Sequence, residues 1–290
     1  MSEVAIVGIG MHEFGRHEGV SGMEQGAIAV RRACADAGVE WKDVQFAFGG
    51  SSAAGAPDTM VSQLGLTGLQ FINVQNGCAT GGSALFSAYN TIMSGAYDLG
   101  IAIGFDKHER GAFRVETKAR TGRDWYGGSG MALTTQFFGM KINRYMQENN
   151  ISQRSLARVA AKAMRNGSMN PMAWRRKALT EEEVLQSQML SYPLTQYMFC
   201  SPGEGGVALI LARADQAHKY TKNPVYLQSA VVRSRRFGSF EVLAPSLSLE
   251  YGEGPTVDAS KAAFEQAGIG PKDVDVAQLQ DTESGAEVMH

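Results

Sequence analysis

Cys78 stands in "NVQNGCATGGSALF", between a short apolar run and a long helical pattern, with small residues on both sides. A thiol at the head of a helix meets unpaired backbone N–H groups and the positive end of the helix dipole, which favour the thiolate. Neighbouring glycines let a substrate come close to the backbone. That is the setting of a covalent nucleophile. A free cysteine is also commonly a small buried hydrophobe, and the residues by themselves leave both readings open. Cys34, on a helix face, and Cys200, ahead of a Gly-rich turn, read as structural. The cysteines are three and widely spaced, with no Cys-x-x-Cys and no Cys/His ligand pattern. A structural zinc site is therefore not expected, and a reduced, cytoplasmic protein is the simplest reading.

Other chemistry-bearing stretches are weaker. "GFDKHERG" puts Asp106, His108 and Glu109 after an apolar strand, where α/β sheets carry active-site loops, though a polar surface turn looks the same. "RTGRDWYGGSGM" has the aromatics and glycines of an acyl pocket or of a dimer contact. "NPMAWRRKAL" groups Arg175, Arg176 and Lys177, a set suited to phosphates or simply to solvent. Gly8 and Gly10 in "GIGMHEFGRH" are no dinucleotide fingerprint, because the third glycine and a ribose-reading acid are missing.

These residues need a scaffold. The chain has 290 residues, 44% hydrophobic and 19% charged, with a formal net charge of −2. A sizeable core is expected, in one large or two modest domains. Nothing basic calls for nucleic acid or a membrane surface. No apolar run reaches the roughly 18–20 residues of a bilayer span. The N-terminus lacks a signal peptide's basic and apolar regions and reads as a buried strand, "VAIVGIG".

Strands and helices then alternate. "GMEQGAIAVRRACADAG" is a helix closed by Gly38, "VQFAFGG" and "LQFINVQN" are strands, a helix runs from about Ala79 to Ser94, and "DLGIAIGF" is a strand buried on both faces. This is a layered α/β pattern. Helical stretches follow in "ALTTQFFGMKINRYMQENN", "SQRSLARVAAKAMRNGSMNP" and "TEEEVLQSQML". Ser152 and Thr180 are the N-cap candidates, and only Thr180 with Glu183 fits a capping box. "GGVALILAR" returns to strand character and "PVYLQSAVVRSRRF" begins another strand run.

The architecture is clearest in a repeat. Ala33, Ala37, Gly38, Lys42, Asp43, Val44 and Ala47 recur at one constant offset as Ala263, Ala267, Gly268, Lys272, Asp273, Val274 and Ala277. The repeated unit is helix, glycine cap, turn and strand, and each copy follows a strand. The counterpart of Cys78 would fall beyond His290, so the second copy is expected to be incomplete. A truncated sequence or a partner chain would account for that.

A duplicated α/β unit, a helical insertion between the copies and a cysteine heading a central helix together resemble the thiolase superfamily. The likeness is strongest in "NGCATGGSALFSAYNTIMSGAYDLGIAIGFDKH". "MFCSPGEGGVALILARADQA" resembles the returning segment of sterol-carrier-protein-type thiolases, the lipid-transfer branch, and "VDVAQLQDTESGAEVMH" resembles the second-half strand that enters a catalytic loop. The resemblance implies a duplicated αβαβα layered α/β fold with a helical loop-domain insertion. Its parts would be a first half over 1–105, a loop domain over 106–200, a return strand over 201–223 and a partial second half over 224–290.

It also implies acyl transfer. Cys78 attacks the 3-oxo carbonyl of a 3-oxoacyl-CoA, and coenzyme A takes the acyl group, in lipid or steroid side-chain degradation. No metal is required. Coenzyme A would meet Arg175, Arg176, Gly203 and Gly205, and a homodimer would pair through "LQFINVQN".

One departure stands out. Where the family carries a His-Asp-Cys-Phe-like motif, this chain reads "LQDTES", with Gln280 in the place of the histidine. Glutamine can donate a hydrogen bond to an enolate oxygen but supplies neither charge nor proton. The family's later helper histidine and second cysteine have no counterpart before His290, which reads as an ordinary residue. "QDTES" is more similar to a sub-branch of retro-aldolases that cleave 3-hydroxyacyl-CoA side chains with a small OB-fold, zinc-binding accessory protein. A non-catalytic acyl-CoA or lipid-binding protein is the third expectation.

Overall fold

The computed structural model describes residues 3–109, 133–234, 254–280 and 282–290. The stretch "RTGRDWYGGSGM" lies outside them. In chain order the elements begin with β1 (Val4–Gly15), α1 (Gly22–Ala37), β2 (Phe46–Gly50), α2 (Val61–Leu64), β3 (Gln70–Val74), α3 (Thr80–Met93) and β4 (Leu99–Lys107). Next come α4 (Thr134–Asn149), α5 (Gln153–Met169), α6 (Glu181–Leu185), β5 (Met189–Ser191) and β6 (Leu194–Thr195). The last are β7 (Glu204–Arg213), β8 (Val225–Leu227), α7 (Pro255–Ala267) and α8 (Ser284–Met289). They form two compact units, one of residues 1–108 with 203–275, the other of 109–202 with 276–290.

The first unit is built on a mixed sheet in the order β3-β2-β4-β7-β1-β8. β2 runs parallel to β3 and β4, while β7 is antiparallel to β4 and β1. The near-continuous apolar run of β4 follows from burial on both faces. Ile101 and Ile103 face α1 among Ala29, Val30 and Ala33, and Ala102 faces α3 among Ala84, Ala88 and Ile92. Helix α1 lies directly on β1. A Cβ on Gly10 would stand 2.0 Å from the Ala29 carbonyl oxygen, so only glycine permits this approach. The topology gathers the carboxyl ends of β1, β2, β3 and β4 and the start of β7 at one end of the sheet.

The repeat is visible in the backbone. α1 and α7 both end in a left-handed glycine, Gly38 at φ 64° and Gly268 at φ 68°. Each glycine N–H, and the N–H that follows it, closes on the helix's last carbonyls. A short 3₁₀ turn comes next in both copies. Then they part. In the first copy Phe46 is fully buried in β2, but its counterpart Val276 is 86% exposed, and no strand forms over 274–280. The strand expected there is absent because the described residues offer it no neighbouring strand to pair with. "PVYLQSAVVRSRRF" likewise yields, among its described residues, only the three of β8, paired to Val4–Ile6.

The second unit is helical, with the β5–β6 hairpin beside its helices. Ile142, Leu156, Leu194 and Met198 form its buried centre. Thr180 and Glu183 make the expected capping box at α6, while the Ser152 hydroxyl makes no cap bond at α5. The tail from Val276 to His290 belongs to this unit. It is pinned by a bridge between Phe199 and Glu283 and by the Cys200 N–H donating to the Thr282 carbonyl at 2.8 Å.

Candidate active site

At the end of β3 the chain turns through Asn76, Gly77, Cys78 and Ala79 before α3 begins. Gly77 holds φ 51°, in the left-handed region that glycine enters without strain. The Ala79 N–H donates to the Asn76 carbonyl at 3.0 Å. The Asn76 N–H donates to Thr80 Oγ1 at 2.9 Å, and that hydroxyl donates to the Gly77 carbonyl at 2.7 Å. Asn76 Nδ2 donates to Ser83 Oγ at 2.8 Å. Cys78 is left exposed on this tied turn.

The first turn of α3 is bare beside it. A Cβ on Gly81 or Gly82 would meet nothing within 4 Å among the described residues. First-turn N–H groups have no carbonyl of their own helix to bond. An exposed thiol next to uncovered first-turn backbone leaves room for a flat electrophile such as a thioester. Cys34 is the opposite case. It is buried on α1, and burial pushes its thiol up to about 11.

Two further groups occupy the same end of the sheet. Asp106 accepts from the Ser52 N–H at 3.0 Å, the Ala53 N–H at 2.8 Å and the Ser51 hydroxyl at 3.4 Å. His108 Nε2 lies 3.2 Å from its Oδ2, and Glu109 is exposed. Glu204, at the start of β7, accepts from the His17 N–H at 3.0 Å and Gln25 Nε2 at 3.3 Å. It also faces Lys107 at 3.1 Å and Arg16 at 3.3 Å. Burial pushes its carboxyl up, but these donors together outweigh that and hold it at about 2. Neither Thr80 nor Glu204 was marked by a sequence signal of its own.

The other sequence-derived candidates fall as follows. Gly203 and Gly205 are in the sheet unit. Gly205 is buried within β7, where the Phe14 ring fills the place of a Cβ at 2.8 Å. In the helical unit, Arg175 donates to Ser201 Oγ at 2.5 Å, with its guanidinium 5.4 Å from the Trp174 ring centroid and 5.8 Å from that of Tyr197. Arg176 is exposed. Gln280 is exposed and donates from Nε2 to Thr282 Oγ1 at 2.6 Å. Buried Glu283 caps α8 by accepting from the Gly285 N–H at 2.5 Å. Among the described residues no three His, Cys, Asp or Glu side chains are grouped to hold a metal, and no helix is long and apolar enough to cross a membrane.

Comparison with known proteins fits this arrangement. The family model for the thiolase N-terminal domain matches residues 4–182. The acetyl-CoA acetyltransferase of Methanothermobacter thermautotrophicus is 30% identical over 290 residues, covering 97% of this chain and 74% of that one. The benzoylsuccinyl-CoA thiolase subunit BbsB of Thauera aromatica is 29% identical over 293 residues, 99% of this chain and 74% of its own. Sterol carrier protein 2 of Gallus gallus is 29% identical over 296 residues, but the chain spans only 53% of its length. Among solved structures, the Ltp2-ChsH2(DUF35) aldolase superposes with a TM-score of 0.82 at 22% identity, covering 98% of this chain and 74% of that one. A monomeric SCP2-thiolase-like protein type 1 of Mycobacterium smegmatis gives 0.77 at 17% identity, covering 99% and 62%. The chain, a layered α/β protein with a cysteine on the turn into its central helix, belongs to the thiolase family.

Proposed function

We propose that the protein is a thiolase-type acyltransferase acting on acyl-CoA thioesters, with Cys78 as its nucleophile. The observation that carries this reading is the exposed thiol on a tied turn beside the bare first turn of α3. The Cys78 thiolate adds to the 3-oxo carbonyl carbon of a 3-oxoacyl-CoA. The C2–C3 bond then breaks, and its electron pair passes into the enolate of the departing acyl-CoA, which takes up a proton. The acyl group remains as a thioester on Cys78 until the thiol of coenzyme A removes it. Gln280, where the family carries a histidine, is assigned as a neutral hydrogen-bond donor, and its Nε2 donates to Thr282 Oγ1.

Coenzyme A is substrate here. Arg175 and Arg176 are assigned to its phosphates, and Arg175 is already oriented by Ser201 and two rings. Gly203 is assigned as a point of close backbone approach; Gly205 does not serve as one, because it is buried and the Phe14 ring occupies the space a ligand would need. The setting is cytoplasmic breakdown of lipid or steroid side chains. Self-association is assigned to β3, the sheet edge, where Ile72 is 42% exposed.

The test is iodoacetamide labelling of the folded protein at neutral pH. Cys78 should react several-fold faster than Cys200, which is also exposed, and Cys34 should stay unlabelled. Equal rates at Cys78 and Cys200 would sink the nucleophile and favour a role in binding alone. A second reading, retro-aldol cleavage of a 3-hydroxyacyl-CoA with an OB-fold accessory protein, is favoured by Gln280 in place of a histidine. The likeness to the Ltp2-ChsH2(DUF35) aldolase supports it too. Turnover of a 3-oxoacyl-CoA only with added coenzyme A selects the first reading. Turnover of a 3-hydroxyacyl-CoA without it selects the second.

A further inference from the structure

We propose that Thr80 is a positioning residue for Cys78, holding the nucleophile's turn in its attacking geometry through two separable contacts. The proposal rests on the assignment of Cys78 as nucleophile. The first contact is polar. Thr80 Oγ1 accepts from the Asn76 N–H at 2.9 Å and donates to the Gly77 carbonyl at 2.7 Å. One hydroxyl thus takes up a donor and an acceptor from the two residues that precede the cysteine. Neither group lies in a strand or a helix, and the Gly77 carbonyl takes one further bond, from the Thr80 N–H at 3.2 Å, which neither valine nor serine at position 80 removes.

The second contact is apolar. The Thr80 methyl lies 2.0 Å from where a Cβ on Gly50 would stand, seated in the notch that glycine leaves at the end of β2. Thr80 itself is buried, with 9% exposure, while Asn76, Gly77, Cys78 and Ala79 are all exposed. Among the described residues the turn that carries the thiol is exposed throughout. Its position is handed to it by Thr80, which is anchored on the sheet. Ser83 adds one weaker tie through the Asn76 side chain.

Valine and serine divide these roles. Thr80→Val keeps the shape and methyl groups but removes both hydrogen bonds. Thr80→Ser keeps the hydroxyl and removes the methyl. The readout is the iodoacetamide labelling rate of Cys78 in the folded chain, referred to Cys200 in the same molecule, with circular dichroism confirming the fold. Thr80→Val should slow Cys78 about tenfold, the order expected when one net hydrogen bond is lost from the geometry of attack. Thr80→Ser should stay within about twofold of the parent. Thr80→Ala differs from Thr80→Ser by the hydroxyl alone; it should slow Cys78 about tenfold relative to Thr80→Ser and supplies the reading if Thr80→Val does not fold.

Unchanged Cys78 labelling in Thr80→Val, or equal labelling in Thr80→Ala and Thr80→Ser if those variants must stand in, overturns the proposal. Slowing in Thr80→Ser with none in Thr80→Val also overturns it, because packing alone would then be responsible. The parent protein separates this failure from that of the nucleophile itself, which shows as Cys78 labelling no faster than Cys200 before any substitution is made.

Discussion

Gly50 looks unremarkable in "FAFGGSS", yet its missing side chain decides where Thr80 sits. Its contact is steric. A Cβ there would lie 2.0 Å from Thr80 Cγ2 and 3.2 Å from the Val74 carbonyl oxygen. Only the first contact is severe, and it is with a single methyl. Gly50→Ala should therefore destabilise the protein by about 1–3 kcal/mol, the cost of overpacking a close-packed site. Adding Thr80→Ser removes the methyl and should restore most of that loss, a coupling that a double-mutant cycle in urea measures directly. Independent, additive losses would show that the clash is relieved elsewhere. Cys78 could be marked from sequence because a cysteine among glycines at a helix start is a local pattern. Thr80 and Gly50 could not, because their meaning is a contact between residues thirty positions apart.

At the level of elements, the sequence was readable where the determinant is local. The helix ends at Gly38 and Gly268, the capping box at Thr180 and the doubly buried run of β4 each follow from a few adjacent residues. It was not readable where a strand depends on its neighbour. Val44 and Val274 occupy matching places in the repeat, yet Val44 is buried and Val274 is 41% exposed, because pairing partners exist for one segment and not the other among the described residues. The caps permit a test of the repeat as a physical unit. Gly38 and Gly268 have the same φ within a few degrees, the same bond pattern and no neighbour within 4 Å of an added Cβ. Alanine at either place meets only the left-handed backbone penalty, about 1 kcal/mol. Gly38→Ala and Gly268→Ala should each lower stability by that amount in urea titrations. A much larger loss at one of them would mean that the two caps are not equivalent.

Over the sheet unit as a whole, the end that carries Cys78 is held together by a charge that local sequence does not explain. Glu204 opens β7, but its partners come from the end of β1, from α1 and from the end of β4. Lys107 extends the tie, donating also to the carbonyls of His17 at 2.7 Å and Val20 at 2.8 Å. Three segments thus converge on one nearly buried carboxylate: the end of β1, the neighbouring start of α1 and, far from both in sequence, the end of β4. Removing its charge leaves Lys107 and Arg16 facing a neutral group in a partly buried site, which is costly.

The consequence depends on pH in a definite direction. The carboxyl is held at about 2 in the folded protein against an ordinary 4.5. The unfolded chain therefore binds this proton more readily, and the stabilisation is complete above about pH 5. It declines as pH falls below the unfolded value and is gone once pH passes below about 2. The linked free energy is about 3 kcal/mol. Glu204→Gln should be less stable than the parent by roughly that amount at pH 7. The gap between the two proteins should narrow steadily from pH 5 towards pH 2, followed by urea unfolding at each pH. A gap that stays constant over this range would mean that Gln25, the His17 N–H and the packing around them hold the sheet end without the charge.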